Sequence, residues 1–150
     1  MYLDSKNIEN CLEKLNKSSS PKWGIMNSAQ MLYHCNAFID VSLGEKKISL
    51  FIRIFSRLFF RYFFLKYLKS IKFDFYKFSK NSLTLPIFKS FPKFIDFDQE
   101  KNKLIQSIKK IEQITTNKVY HQMYGWIPIL TLKKLVLFHT YYHFNQFDLL

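Results

Sequence analysis

Glycine and proline are scarce in this chain, three and four among 150 residues, and that scarcity argues against both disorder and a turn-rich sandwich. Cysteine is scarcer. Cys11 and Cys35 have no CxxC partner spacing, so reduced thiols are the simplest reading. The opening MYLDSKNIEN lacks a charged start followed by an apolar run, and no export signal is read there; cytoplasmic residence is the expectation. Acidic side chains are nearly missing from residues 46 to 93, where Asp74 alone stands against twelve Lys or Arg. Most of the formal charge of +12 therefore comes from this block, which could attract nucleic acid, anionic lipid or an acidic ligand, or could be a solvated face. There is no internal repeat and no low-complexity tract.

What is abundant is apolar: 48% of the residues. At this length they can bury one core, so a single domain over residues 1–150 is expected. Ile8, Cys11, Leu12 and Leu15 recur at helical spacing behind Asp4 and Ser5, which predicts a short first helix from Ser5 to Asn16. The stretch KSSSPKWG reads as a loop. Asn27 and Gln30 form a capping-box pattern that starts a second helix, ending near Leu43 before Gly44. Along it Met31, His34, Phe38 and Val41 share one stripe.

Residues Ile48 to Ser70 are the most hydrophobic stretch and long enough to suggest a membrane span. Arg53, Arg57 and Arg61 argue against it, because a central Arg costs roughly 2.5 to 3.5 kcal/mol on insertion scales. Their spacing of four instead draws a charged line along an amphipathic helix. From Ile71 to Phe97 the pattern breaks into a long irregular excursion containing Pro86 and Pro92. Asp98 reads as the cap of a further helix with Leu104, Ile108, Ile111 and Thr115 on one face. Asn117 to Pro128 reads as a connector to a last helix, from Ile129 to Asp148, whose single side carries Leu132, Val136, His139, His143, Gln146 and Leu150. Four long helical patterns and one short one favour an antiparallel all-α bundle.

His139 and His143 lie one helical turn apart, where both imidazoles can reach one ion. Leu132 and Val136 precede them on the same stripe, so both should point inward, as should His34. Three buried imidazoles without partners would cost roughly 1 to 3 kcal/mol each, and a metal satisfies all three at once. Three His ligands suit divalent Zn, Ni or Fe and leave coordination positions open. HTYYH lacks the Glu of HExxH, which disfavours peptide hydrolysis of the metalloprotease type. A lowered-pKa water or an activated thiolate remains open to such an ion. Gln146 could orient a water or a ligand, or cap a polar layer in the core. His121, in YHQMYG, is either a loop histidine or a lid or fourth contact. Tyr33 and Tyr142 adjoin the ligands in sequence but read as packing residues.

Three segments carry a resemblance. PKWGIMNSAQMLYHC resembles the start of the second helix in proteins of the DinB/YfiT-like superfamily. HQMYGWIPILTLKKLVLFHTYYHFNQF is similar to a pattern of HPxFG followed by HxxHH or HxxxH and then QF, and KFSKNSLTLP resembles a KNxxTxP stretch of one uncharacterised branch. Gln122 stands where that branch has Pro, and Tyr142 where it has His. The resemblance implies a four-helix bundle with a long crossover, here with a short extra N-terminal helix. It also implies a divalent metal on His34, His139 and His143, and a thiol-dependent transferase, isomerase or hydrolase acting with a low-molecular-weight thiol. The leading expectation is thus a metal-dependent transferase or hydrolase for a small-molecule substrate, with Gln146 or His121 serving nearby. The rivals are a binding protein whose basic aromatic segment meets anionic membrane or nucleic acid, and a structural homodimer.

Overall fold

A computed structural model of the chain describes residues 4–82 and 85–150. The threonine of the KNxxTxP-like stretch, Thr84, and the first three residues lie outside that description. The chain is mostly helical: α1 (Ser5–Glu13), α2 (Ser28–Leu43), α3 (Leu50–Phe59), α4 (Leu65–Ser70), α5 (Phe97–Glu112) and α6 (Ile129–Gln146). A small two-stranded sheet, β1 (Lys118–His121) and β2 (Gly125–Pro128), precedes α6.

Local chemistry sets most of the boundaries. Asp4 caps α1 by accepting the Lys6 amide at 3.0 Å. At α2 the capping box is complete: the Asn27 side chain takes the Gln30 amide at 2.9 Å, and Gln30 Oε1 takes the Asn27 amide at 3.0 Å. Gly44, at φ +78, ends the helix in the left-handed conformation and returns its amide to Asp40 and Val41. The cap of α5 is Asp96 rather than Asp98, since its carboxylate accepts the Gln99 amide at 2.9 Å and lets Phe97 bury as the first helical residue. Asp98 instead lies in the first turn, where a negative charge suits the helix dipole. Lys133 Nζ closes the far end of α5 by donating to the Glu112 carbonyl at 2.9 Å.

The expected connector from Asn117 to Pro128 is in fact a β-hairpin, which adds strand to an otherwise helical chain. Val119 pairs with Ile127 and Tyr120 with Trp126, around a tight loop that Gly125 closes at φ +69. A helix is excluded there by that positive φ and by Pro128. Alternation then sends Ile127 into the core and Trp126 to solvent.

Helix α2 packs against both α5 and α6, and α1 packs on α5. The core runs through Leu12, Leu32, Leu104, Ile108, Val136 and Phe144, all fully or almost fully buried. The Ile48 to Ser70 stretch departs from a single uniform helix. A π-helical turn, Phe60–Phe64, joins α3 to α4, and the close backbone contacts of this stretch are mainly internal. It is held to the rest by side chains, with Leu65 and Leu68 buried.

Gln122 is a tie of this kind between the hairpin and the end of α2. It is buried, accepts the Ile48 amide at 2.9 Å, and donates to the Val41 carbonyl at 3.3 Å and to the Lys46 carbonyl. Gln122→Ala strands the Ile48 amide, so the unfolding free energy from urea titration should fall by about 1–3 kcal/mol.

Candidate metal centre

His34 lies in the middle of α2, and His139 and His143 lie one turn apart on α6, so the packing of these two helices decides whether the three meet. They do. One ring nitrogen from each lies within 4.8 Å of the others, and His34 Nε2 is 3.1 Å from His139 Nε2. His34 and His143 are buried, and His139 is partly exposed toward the cavity it lines.

Two of the rings are oriented from behind. His34 Nδ1–H donates to the Phe88 carbonyl at 2.9 Å, and His143 Nδ1–H donates to Gln146 Oε1 at 2.8 Å. Since both acceptors are carbonyl-type oxygens, the protons belong on Nδ1 and the Nε2 lone pairs are left free. Gln146 is itself fixed, because its Nε2 donates to the Trp23 carbonyl at 2.6 Å. The third ring is held by stacking: Phe38 lies on His139 with centroids 4.1 Å apart and planes 14° from parallel. His139 Nδ1 is buried without a hydrogen-bond partner among the described residues.

The electrostatics follow from this enclosure. Burial holds His34 below the ordinary imidazole value, with the Phe88 bond opposing it. Burial first, and then the neighbouring His143 and His34, hold His139 well below that value. Burial and His34 push His143 down to about 3. At neutral pH the cluster is therefore three neutral imidazoles, the protonation state a cation requires.

The cluster opens into a cavity of about 510 Å³. Phe60, Phe64 and Leu68 line one part of its wall, Phe88 and Phe138 another, and Asn81, Lys89 and Gln146 supply polar groups. Tyr142 also lines it, with its hydroxyl donating to the Ser79 carbonyl at 3.2 Å and its ring edge-on to His143. Tyr33 packs elsewhere, edge-on to Phe91.

His121 is not brought to this cavity. It is fully buried, with Nδ1 accepting the Met123 amide at 3.1 Å and Nε2–H donating to Ser42 Oγ at 2.9 Å. Ser42 in turn donates to the Phe38 carbonyl at 2.7 Å, which makes His121 a link between the hairpin and α2. Burial pushes it down to about 3.

Several supporting groups escape a sequence reading because they are backbone atoms or turns: the carbonyls of Phe88 and Trp23, and Gly24. The tryptophan–glycine pair before α2 was the available signal. Gly24 sits at φ +83, and a Cβ there would lie 2.6 Å from Gln146 Nε2. Gly24→Ala should therefore cost about 1 kcal/mol or more in urea unfolding and shift the His143 ring resonances by displacing Gln146.

The depressed histidines also set a pH response. Their folded pKa values lie below the unfolded 6.5, so the folded state resists protonation that the unfolded chain accepts. Stability of the metal-free protein should be full above about pH 6.5 and fall progressively toward pH 3, read as a declining urea midpoint. A midpoint constant from pH 7 to pH 4.5 would show that these rings are solvated.

No curated protein and no solved structure matches the chain. A family model described as "Protein of unknown function (DUF1569)" matches residues 2–149, and the chain belongs to that family.

Proposed function

We propose that this protein is a metal-dependent enzyme of the DinB/YfiT-like type, with a divalent Zn, Ni or Fe ion on His34, His139 and His143. The carrying observation is the convergence of three neutral imidazoles, two of them with Nδ1 tied to carbonyl-type oxygens so that Nε2 is available. With metal–nitrogen bonds of roughly 2.0–2.1 Å, ligands of one ion sit roughly 3.0–3.4 Å apart; the 3.1 Å between His34 and His139 falls in that span, while the widest separation in the triad, within 4.8 Å, has to close for all three to share one ion.

Taken as one kinked helix, α3 to α4 makes four long helical segments with α2, α5 and α6, and α1 is then the extra short helix of a DinB-like bundle. An ion at this site supplies Lewis acidity for transfer or hydrolysis, with a low-molecular-weight thiol as the candidate nucleophile. The protein's own groups do the rest. Gln146 positions His143 through its bond to the Trp23 carbonyl, Phe38 stops His139 from rotating, and the aromatic wall excludes water and accepts the apolar part of a small substrate.

Metal analysis tests the proposal. Protein expressed with supplemented Zn, Ni or Fe should carry about one equivalent and melt at a higher temperature than the chelated form. His139→Ala should abolish both effects. Less than about a tenth of an equivalent, with an unshifted melting temperature, would refute the site.

A further inference from the structure

The helical stretch from Leu50 to Ser70 has two apolar faces, and only one is used by the fold. Phe60, Phe64 and Leu68 turn inward onto the cavity. Leu50, Phe51, Phe55, Leu58, Phe59 and Phe63 turn to solvent, with Phe51 79% and Phe63 70% exposed. Their rings form a continuous ladder, with centroids 6.5 Å apart from Phe51 to Phe55, 4.5 Å from Phe55 to Phe59 and 6.0 Å from Phe59 to Phe63. A contiguous exposed apolar face of this size marks an interaction surface.

Charge identifies what covers it. Arg57 lies over the Tyr120 ring at 5.2 Å, and Arg61 stands beside Gly125, so two cations border the face where the hairpin meets α3. Lys47, Lys66 and Lys69 are exposed toward its two ends. Asp74 is the one acid in residues 46–93. The same hairpin exposes Trp126 and Tyr120, the residue types that settle at the level of lipid headgroups. Among the described residues no helix is long and apolar enough to cross a membrane, and an amphipathic helix bordered by cations has the character suited to the plane of a bilayer surface.

We propose that the outer face of α3 and the π turn docks on an anionic lipid bilayer, with the Phe ladder in the acyl boundary and the Arg and Lys side chains at acidic headgroups. A second copy of the chain fits less well, because a two-fold contact would bring two blocks of the same positive charge together. Single-stranded nucleic acid would use the rings and cations but leaves the aliphatic Leu50, Ile54 and Leu58 uncovered.

The test is sedimentation of the full chain with vesicles of phosphatidylcholine alone or with about a third phosphatidylserine. Retention should be at least about tenfold stronger on the anionic vesicles and should fall as salt rises to about 0.5 M. The double variant Phe55→Glu/Phe59→Glu should lose that retention while keeping the circular dichroism spectrum and melting temperature of the parent, since both rings are exposed. No retention at low salt overturns the proposal. So does equal retention of the double variant, which would mean that cations act without the ladder. Two other results also overturn it in the absence of vesicle binding: a solution dimer that the double variant dissolves, which assigns the face to a second copy, and salt-sensitive binding of single-stranded DNA, which assigns it to nucleic acid.

Discussion

Three imidazoles are enclosed in the seam between α2 and α6, and the surrounding structure is arranged around the cost of desolvating them. An imidazole taken out of water loses two hydrogen-bonding partners, and each unsatisfied nitrogen costs about 1–3 kcal/mol. The 3-10 turn at Pro86–Phe88 supplies a carbonyl to His34, and the loop before α2 supplies one to Gln146, which serves His143. Phe38 covers His139. Irregular segments therefore have defined duties here: each places a backbone acceptor that no helix can offer in mid-span, where its carbonyls are already bonded.

The cavity has the same origin. Helices α2 and α6 meet ring on ring, with Phe38 stacked on His139 and His34 against both His139 and His143, whereas the stretch from α3 to α4 lines the other side of the cavity with Phe60, Phe64 and Leu68. The π turn changes the angular step of the helix at the point where these rings must face inward while Phe59 and Phe63 face out. One stretch thus walls the cavity and presents a second apolar face to its surroundings.

Local signals were the most legible part of the sequence. The Asn27–Gln30 box and the Gly44 stop depend on residues within one or two turns, and their outcomes match that spacing; α6, by contrast, is buried on nearly every face and not along one side alone, and Leu150 lies beyond its end and is exposed. The start of α5 shifted from Asp98 to Asp96, since either carboxylate can cap and only the burial of Phe97 favours the earlier one. Thr115 lies beyond the end of that helix and is exposed, because Gln113 closes it. The hairpin is not legible in the sequence for a related reason. Val119, Tyr120, Trp126 and Ile127 are good strand residues, but each run is too short to show a period, and pairing across the turn is a non-local choice.

Helical spacing by itself put His139 and His143 on one face, pointed His34 inward, and concentrated positive charge in residues 46 to 93. Only the tertiary structure decided that the two helices bring the three rings together, that Gln146 stands behind His143, and that His121 belongs to the hairpin's anchoring instead. The physical reason is that periodicity fixes the direction of a side chain relative to its own helix axis. Which rings meet depends on how two axes cross, and that crossing is set by packing among residues far apart in the chain.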